Sequence, residues 1–117
     1  METSQIDWKY ARRRAWLGKL DKYLKSLPVK RWHDFMNGGK YEHVTLMSLS
    51  CLYHGNAIAI EMLLSQGVTF DFTCHYFGYR LHLYDKCSPF EVSVYENHVA
   101  ARVLISNGAR LSRVKVK

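Results

Sequence analysis

The chain has 117 residues, 48% hydrophobic and 14% aromatic, with 2 Pro and 7 Gly. This suits one ordinary folded domain and excludes both a two-domain protein and a disordered chain. The formal charge of +7 is unevenly placed: residues 1–40 carry ten Lys/Arg against four acids, and residues 41–117 carry seven against six. The N-terminal third would therefore attract polyanions or acidic partners through general electrostatics rather than base reading.

Cys51, Cys74 and Cys87 are an odd number at wide spacings and do not make a secreted disulfide framework, so they are read as thiols. No apolar run reaches the roughly 18 residues a membrane-spanning helix needs, and a soluble, intracellular (cytoplasmic or nuclear) protein is expected.

From Gln5 to Ser26, Leu17, Leu20, Leu24 and Leu27 recur at steps of three and four, with Trp16 and Tyr23 beside the stripe and cations on the other faces. The spacing predicts one amphipathic helix, with Ser4-Gln5-Ile6-Asp7 as its capping box. Pro28 stops it, because the residue before a proline is pushed out of the helical region. Val29, Trp32, Phe35 and Met36 then predict a second short helix ending at Asn37-Gly38-Gly39, so that residues 1–40 form a helical hairpin.

Paired short helices are expected next. Thr45 to Leu52 is one helix, His54-Gly55-Asn56 interrupts, and Ala57 to Gln66 is a second helix closed by Gly67. Ser88-Pro89-Phe90-Glu91 combines a hydroxyl cap, proline at the first helical position and a glutamate three residues after the cap, which together fix a helix start. Asn97-His98 breaks that run, and a last helix through Val99, Val103, Leu104 and Ile105 ends at Asn107-Gly108.

Superposed, Thr45...Gly55-Asn56...Met62-Leu63-Leu64-Ser65-Gln66-Gly67-Val68 and Ser88-Pro89-Phe90...Asn97-His98...Val103-Leu104-Ile105-Ser106-Asn107-Gly108-Ala109 resemble two ankyrin repeats, whose signature opens T-P-L-H-x-A and closes in leucines and Gly-Ala. The first segment departs in having Leu46 where the proline stands. From Gly67 to Gly108 is 41 residues, roughly eight more than the family period. The resemblance covers residues 41–111. It implies a mainly α, short ankyrin-like solenoid with repeat-like units at 41–72 and 88–111, an enlarged β-hairpin finger at 73–87 between the last two helix pairs, the 1–40 hairpin as a cap and a basic tail at 112–117. The alternation of Val68, Phe70 and Phe72, and of Tyr79, Leu81 and Leu83, suggests the two strands of that finger, turning near His75 to Gly78.

Seven residues, Cys51, His54, Cys74, His75, His82, Cys87 and His98, raise a metal site, but only Cys51-x-x-His54 has the close spacing zinc favours, and Cys51 reads equally as a small core residue. The resemblance gives His98 a structural role in the inter-helix turn. No metal and no cofactor is expected. Without G-x-S-x-G, P-loop, G-x-G-x-x-G or H-E-x-x-H, a non-enzymatic protein is expected as well.

Two surfaces compete for a function. The finger face with His75, Tyr76, Tyr79, Arg80, His82 and Tyr84 is rich in the Tyr and Arg that dominate interface hot spots, while Phe70, Phe72, Leu81 and Leu83 pack inward. The resemblance adds Tyr53, Tyr95 and Glu96 as exposed inner-helix positions beside it. This is the surface of an adaptor or inhibitor docking one protein partner, a compact design that suits a stand-alone effector of a virus or parasite in a host cell. The alternative is nucleic-acid or anionic-membrane binding through Lys9, Arg12, Arg13 and Arg14, interleaved with Trp8, Tyr10 and Trp16. On a helix, however, these three arginines spread over most of the circumference, and the plainer reading is a solvated basic face whose tryptophans pack on the next unit.

Overall fold

The computed structural model describes residues 5–36, 44–71 and 87–111. These form six α-helices in three successive pairs: α1 (Trp8–Trp16) with α2 (Leu20–Ser26), α3 (Leu46–Leu52) with α4 (Ala57–Ser65), and α5 (Pro89–Glu96) with α6 (His98–Ser106). A 3-10 turn, Val29–His33, and a small antiparallel sheet separate the first pair from the second. In that sheet β1 (Phe35–Met36) pairs with β2 (Val44–Thr45), Phe35 opposite Thr45 and Met36 opposite Val44.

The expected helix from Gln5 to Ser26 is in fact two helices. Gly18 sits at φ 72°, a left-handed conformation that costs glycine little. Its N–H donates to the Ala15 carbonyl at 3.0 Å and the Lys19 N–H to that of Arg14 at 2.8 Å, the paired bonds of a Schellman stop. Asp7, not Ser4, caps α1, its carboxylate accepting from the Tyr10 N–H at 3.1 Å. The N-terminal hairpin is therefore α1 against α2. Leu17, assigned to the buried stripe, lies in the turn and is half exposed.

The expected helix from Val29 to Met36 is also replaced. Pro28 does end α2, leaving Leu27 extended, but one 3-10 turn follows before Asp34 turns extended and the chain enters β1. Trp32 explains the arrangement: its ring is buried and its indole N–H donates to the Leu24 carbonyl at 3.1 Å, beside the Leu27 N–H that bonds the same oxygen at the end of α2. The two-stranded sheet thus lies between the first and second helix pairs, and Cys87, the last residue of the expected finger, makes a single β-bridge. The finger expected at 73–87 falls almost wholly outside the described residues, and residues 68–71, expected to begin its first strand, form neither helix nor strand.

The later pairs follow their local signals. Thr45 and Ser88 both close capping boxes, Thr45 with Ser48 and Ser88 with Glu91, and Pro89 opens α5. Gly67 and Gly108 end α4 and α6 with the same paired bonds as Gly18, the N–H groups of Val68 and Ala109 reaching back to the carbonyls of Leu63 and Leu104.

Packing runs along two rows. α1 touches α3 and α3 touches α5, while α2 touches α4 and α4 touches α6, and each helix also touches its own partner. One continuous core joins the pairs through Leu20, Leu24, Leu46, Met47, Leu49, Ile60, Leu63 and Leu104, all buried. Each such side chain stabilises the fold by about 1.5–3 kcal/mol through removal from water. α3, in the middle of its row, is covered on nearly all sides from Leu46 to Cys51. The Ser50 hydroxyl inside it is satisfied by the Met47 carbonyl at 2.9 Å.

Two buried asparagines hold successive pairs in register. Asn56, at the start of α4, accepts from the Leu20 N–H at 3.1 Å and donates to the Ala15 carbonyl at 2.8 Å, both in the first pair. Asn97, at the start of α6, donates to the carbonyls of Cys51 at 3.3 Å and Tyr53 at 3.2 Å in the second pair. Because Asn56 also donates to the Tyr53 carbonyl at 3.0 Å, the C-terminal ends of α1, α3 and α5 lie side by side along one edge.

Candidate functional site

That edge, where each chain segment turns from one row to the other, holds three of the candidate residues that can be placed, Tyr53, Tyr95 and Glu96. Ile58 and Val99 each stand two residues beyond their joint asparagine, at the second position of α4 and of α6, and each is 60% exposed. Trp16 and Leu17, at the corresponding turn of the first pair, are 70% and 50% exposed. Scattered exposed apolar residues are ordinary, but Ile58 and Val99 repeat the same exposed position in successive pairs.

Tyr53, Tyr95 and Glu96 lie beside these positions at the ends of α3 and α5. The resemblance implied exposed positions for them, yet all three are half-buried, because the neighbouring pairs crowd the helix ends. The Tyr53 hydroxyl also accepts from Arg12 Nε at 3.2 Å, which ties α3 to α1.

The three arginines of α1 do different things. Arg12 is held by Tyr53. The Arg14 guanidinium carbon lies 5.3 Å from the Tyr10 ring centroid in a cation–π arrangement, and its Nε is buried without a hydrogen-bond partner. Tyr10 in turn meets Tyr23 edge to face at 5.0 Å, and the Tyr23 hydroxyl accepts from the Asp7 N–H at 2.9 Å. Burial pushes the Tyr23 phenol above its ordinary value, and the charge of the Asp7 carboxylate adds to this, although the Asp7 N–H acts the other way. Of the three arginines only Arg13 is exposed, as is Lys9. Trp16 does not pack on the next unit as the plainer reading required, whereas Trp8 is partly buried against the core.

Of the finger residues, His75, Tyr76, Tyr79, Arg80, His82 and Tyr84 lie outside the described residues. The inward role expected of Phe70 is met: it packs on the core and contacts Phe90 edge to face at 6.5 Å. Together with Asp71, Gly108, Ala109 and Arg110 these rings line a recess of about 190 Å³ beside the end of α6.

Cys51 is buried in α3 while His54 is exposed in the turn, so the zinc-like spacing is divided between core and solvent. Among the described residues no three His, Cys, Asp or Glu side chains converge as a metal site would need. His98 is exposed, and the structural role expected of it belongs to Asn97. The signal for the joint residues was present in the sequence: an Asn just before the second helix of each of the last two pairs, Asn56 and Asn97, separated by the same 41 residues as Gly67 and Gly108.

No protein-family model, no curated protein and no solved structure matches this chain. Among the described residues no helix is long and apolar enough to cross a membrane.

Proposed function

We propose that this protein is a non-enzymatic protein-interaction module, an adaptor or inhibitor built as a short ankyrin-like solenoid with a finger between its last two helix pairs. The repeated exposure of an apolar residue at the start of α4 and of α6 carries this reading. Ile58 and Val99 stand there in register, flanked by the half-buried Tyr53, Tyr95 and Glu96. Apolar anchors beside tyrosines and a rim charge are the composition of protein interfaces, and stacked helix pairs make an extended surface rather than a deep pocket. Two features support the solenoid reading: the contacts α1–α3–α5 and α2–α4–α6, and the asparagine joints that repeat from pair to pair. The finger face from His75 to Tyr84 belongs to the same proposed surface.

Affinity capture tests it. Recovery of a specific partner should fall about tenfold or more, as hot-spot losses do, in Ile58→Asp/Val99→Asp and in Tyr76→Ala/Tyr79→Ala/Arg80→Ala, with little dependence on salt. Circular dichroism should show both proteins folded. Recovery untouched by either set, but removed by salt or by Lys9→Ala/Arg13→Ala, would sink the adaptor reading in favour of polyanion binding.

A further inference from the structure

We infer that the outer face of α1 and the α1–α2 turn that follows it form a contact site for an anionic membrane surface. The argument starts from helical geometry. At about 100° per residue, Lys9, Arg13 and Trp16 fall within roughly 60° of one another on α1, opposite the buried Ala11 and Ala15. All three are exposed. Once Arg12 and Arg14 are committed to Tyr53 and Tyr10, the basic helix presents a single cationic stripe ending in a tryptophan. Leu17 follows Trp16 in the turn, and the exposed Lys19 closes it.

Two observations favour lipid over nucleic acid. Nucleobase binding uses several aromatic faces along a groove, but here the second aromatic, Tyr10, is occupied by Arg14 and Tyr23. An exposed leucine adds nothing to base stacking, whereas an adjacent Trp and Leu seated among cations suit the headgroup–acyl boundary, Trp at the interface and Leu below it.

Charge complementarity identifies the occupant. Residues 8–30 hold Lys9, Arg12, Arg13, Arg14, Lys19, Lys22, Lys25 and Lys30 with Asp21 as their carboxylate, and among the described residues Lys9, Arg13 and Lys19 form no ion pair. The site lies on the surface of a folded domain, so the contact is peripheral.

Vesicle co-sedimentation with the purified full chain tests this. The protein should bind vesicles of phosphatidylcholine plus phosphatidylserine and not phosphatidylcholine alone. Arg13→Glu and Lys19→Glu should each lower binding at least about fivefold, and Trp16→Ser/Leu17→Ser about tenfold. Added salt should weaken it. These are exposed positions, and thermal melts establish that each variant is folded. Tryptophan emission should shift to the blue on vesicle binding in the wild type and stay in place in Trp16→Phe. Binding indifferent to phosphatidylserine, retention in all these variants, a shift that survives Trp16→Phe, or capture of a single-stranded oligonucleotide by the same residues without vesicle binding would each overturn the inference.

Discussion

Asn56 and Asn97 occupy the same place in successive helix pairs and use their polar atoms differently. Asn56 makes no cap for its own helix: its acceptor takes the Leu20 N–H of the first pair, and its amide donates to Ala15 and to the carbonyls of Tyr53 and His54. Asn97 divides the work, accepting from the Ala100 N–H of its own helix at 3.3 Å and donating backwards to Cys51 and Tyr53. The first junction also brings two turns into near contact, since a Cβ on Gly55 would lie 3.2 Å from the Gly18 Cα. The junction between the first and second pairs is therefore closed by polar groups that satisfy each other across it. The later one leaves its helix capped locally and depends more on the packing of α3 against α5.

This difference predicts unequal losses. Asn56→Ala leaves the buried Leu20 N–H without an acceptor and should cost about 3 kcal/mol in urea unfolding. Asn97→Ala removes a local cap and two shared carbonyl contacts and should cost about 1.5 kcal/mol. Asn97→Ser should recover part of its loss by restoring the cap, while Asn56→Ser should recover almost none, because serine cannot span two pairs. Equal costs, or the reverse order, would remove the distinction between the junctions.

The glycines sharpen it further. Gly18 and Gly67 have nearly equal left-handed φ, 72° and 76°, so Ala carries the same backbone strain at each, about 1 kcal/mol. At Gly18 a Cβ would also lie 3.3 Å from the His54 carbonyl oxygen, whereas at Gly67 nothing lies within 4 Å. Gly18→Ala should cost about 2 kcal/mol and Gly67→Ala about 1 kcal/mol, measured by thermal or urea unfolding.

The smallest effect is expected at Tyr23, where burial raises the phenol above its ordinary value of 10.0. The folded state favours the neutral form, so this contribution is complete below pH 10 and is lost as pH rises through the raised folded value. Stability should fall less steeply in alkali for Tyr23→Phe than for the wild type; parallel curves would show that Tyr23 does not contribute.

The sequence made the second and third pairs legible because their boundaries are written in local chemistry. Thr45 and Ser88-Pro89 open helices by satisfying adjacent N–H groups, and Gly67 and Gly108 close them, all within a few residues of chain. The first pair is hidden in the sequence because Leu17, Leu20, Leu24 and Leu27 keep helical spacing across a short turn, so periodicity alone does not register the left-handed Gly18 between them. Phe35 and Met36 fit a helical pattern equally well, but their pairing with Thr45 and Val44 lies across residues 37–43, beyond the reach of a local signal.

The candidate sites divide in the same way. The basic character of α1 was evident from composition, and Arg12, Arg13 and Arg14 read alike in the sequence. Arg14 meets Tyr10 one helical turn away, but only the tertiary fold turned Arg12 onto Tyr53, leaving Lys9, Arg13 and Trp16 as the outward stripe. Helix starts, stops and net charge are properties of neighbouring residues and were determined by the sequence by itself. The pairing of Arg12 with Tyr53, and the asparagines that join one pair to the next, depend on groups some forty residues apart and were decided when the pairs packed.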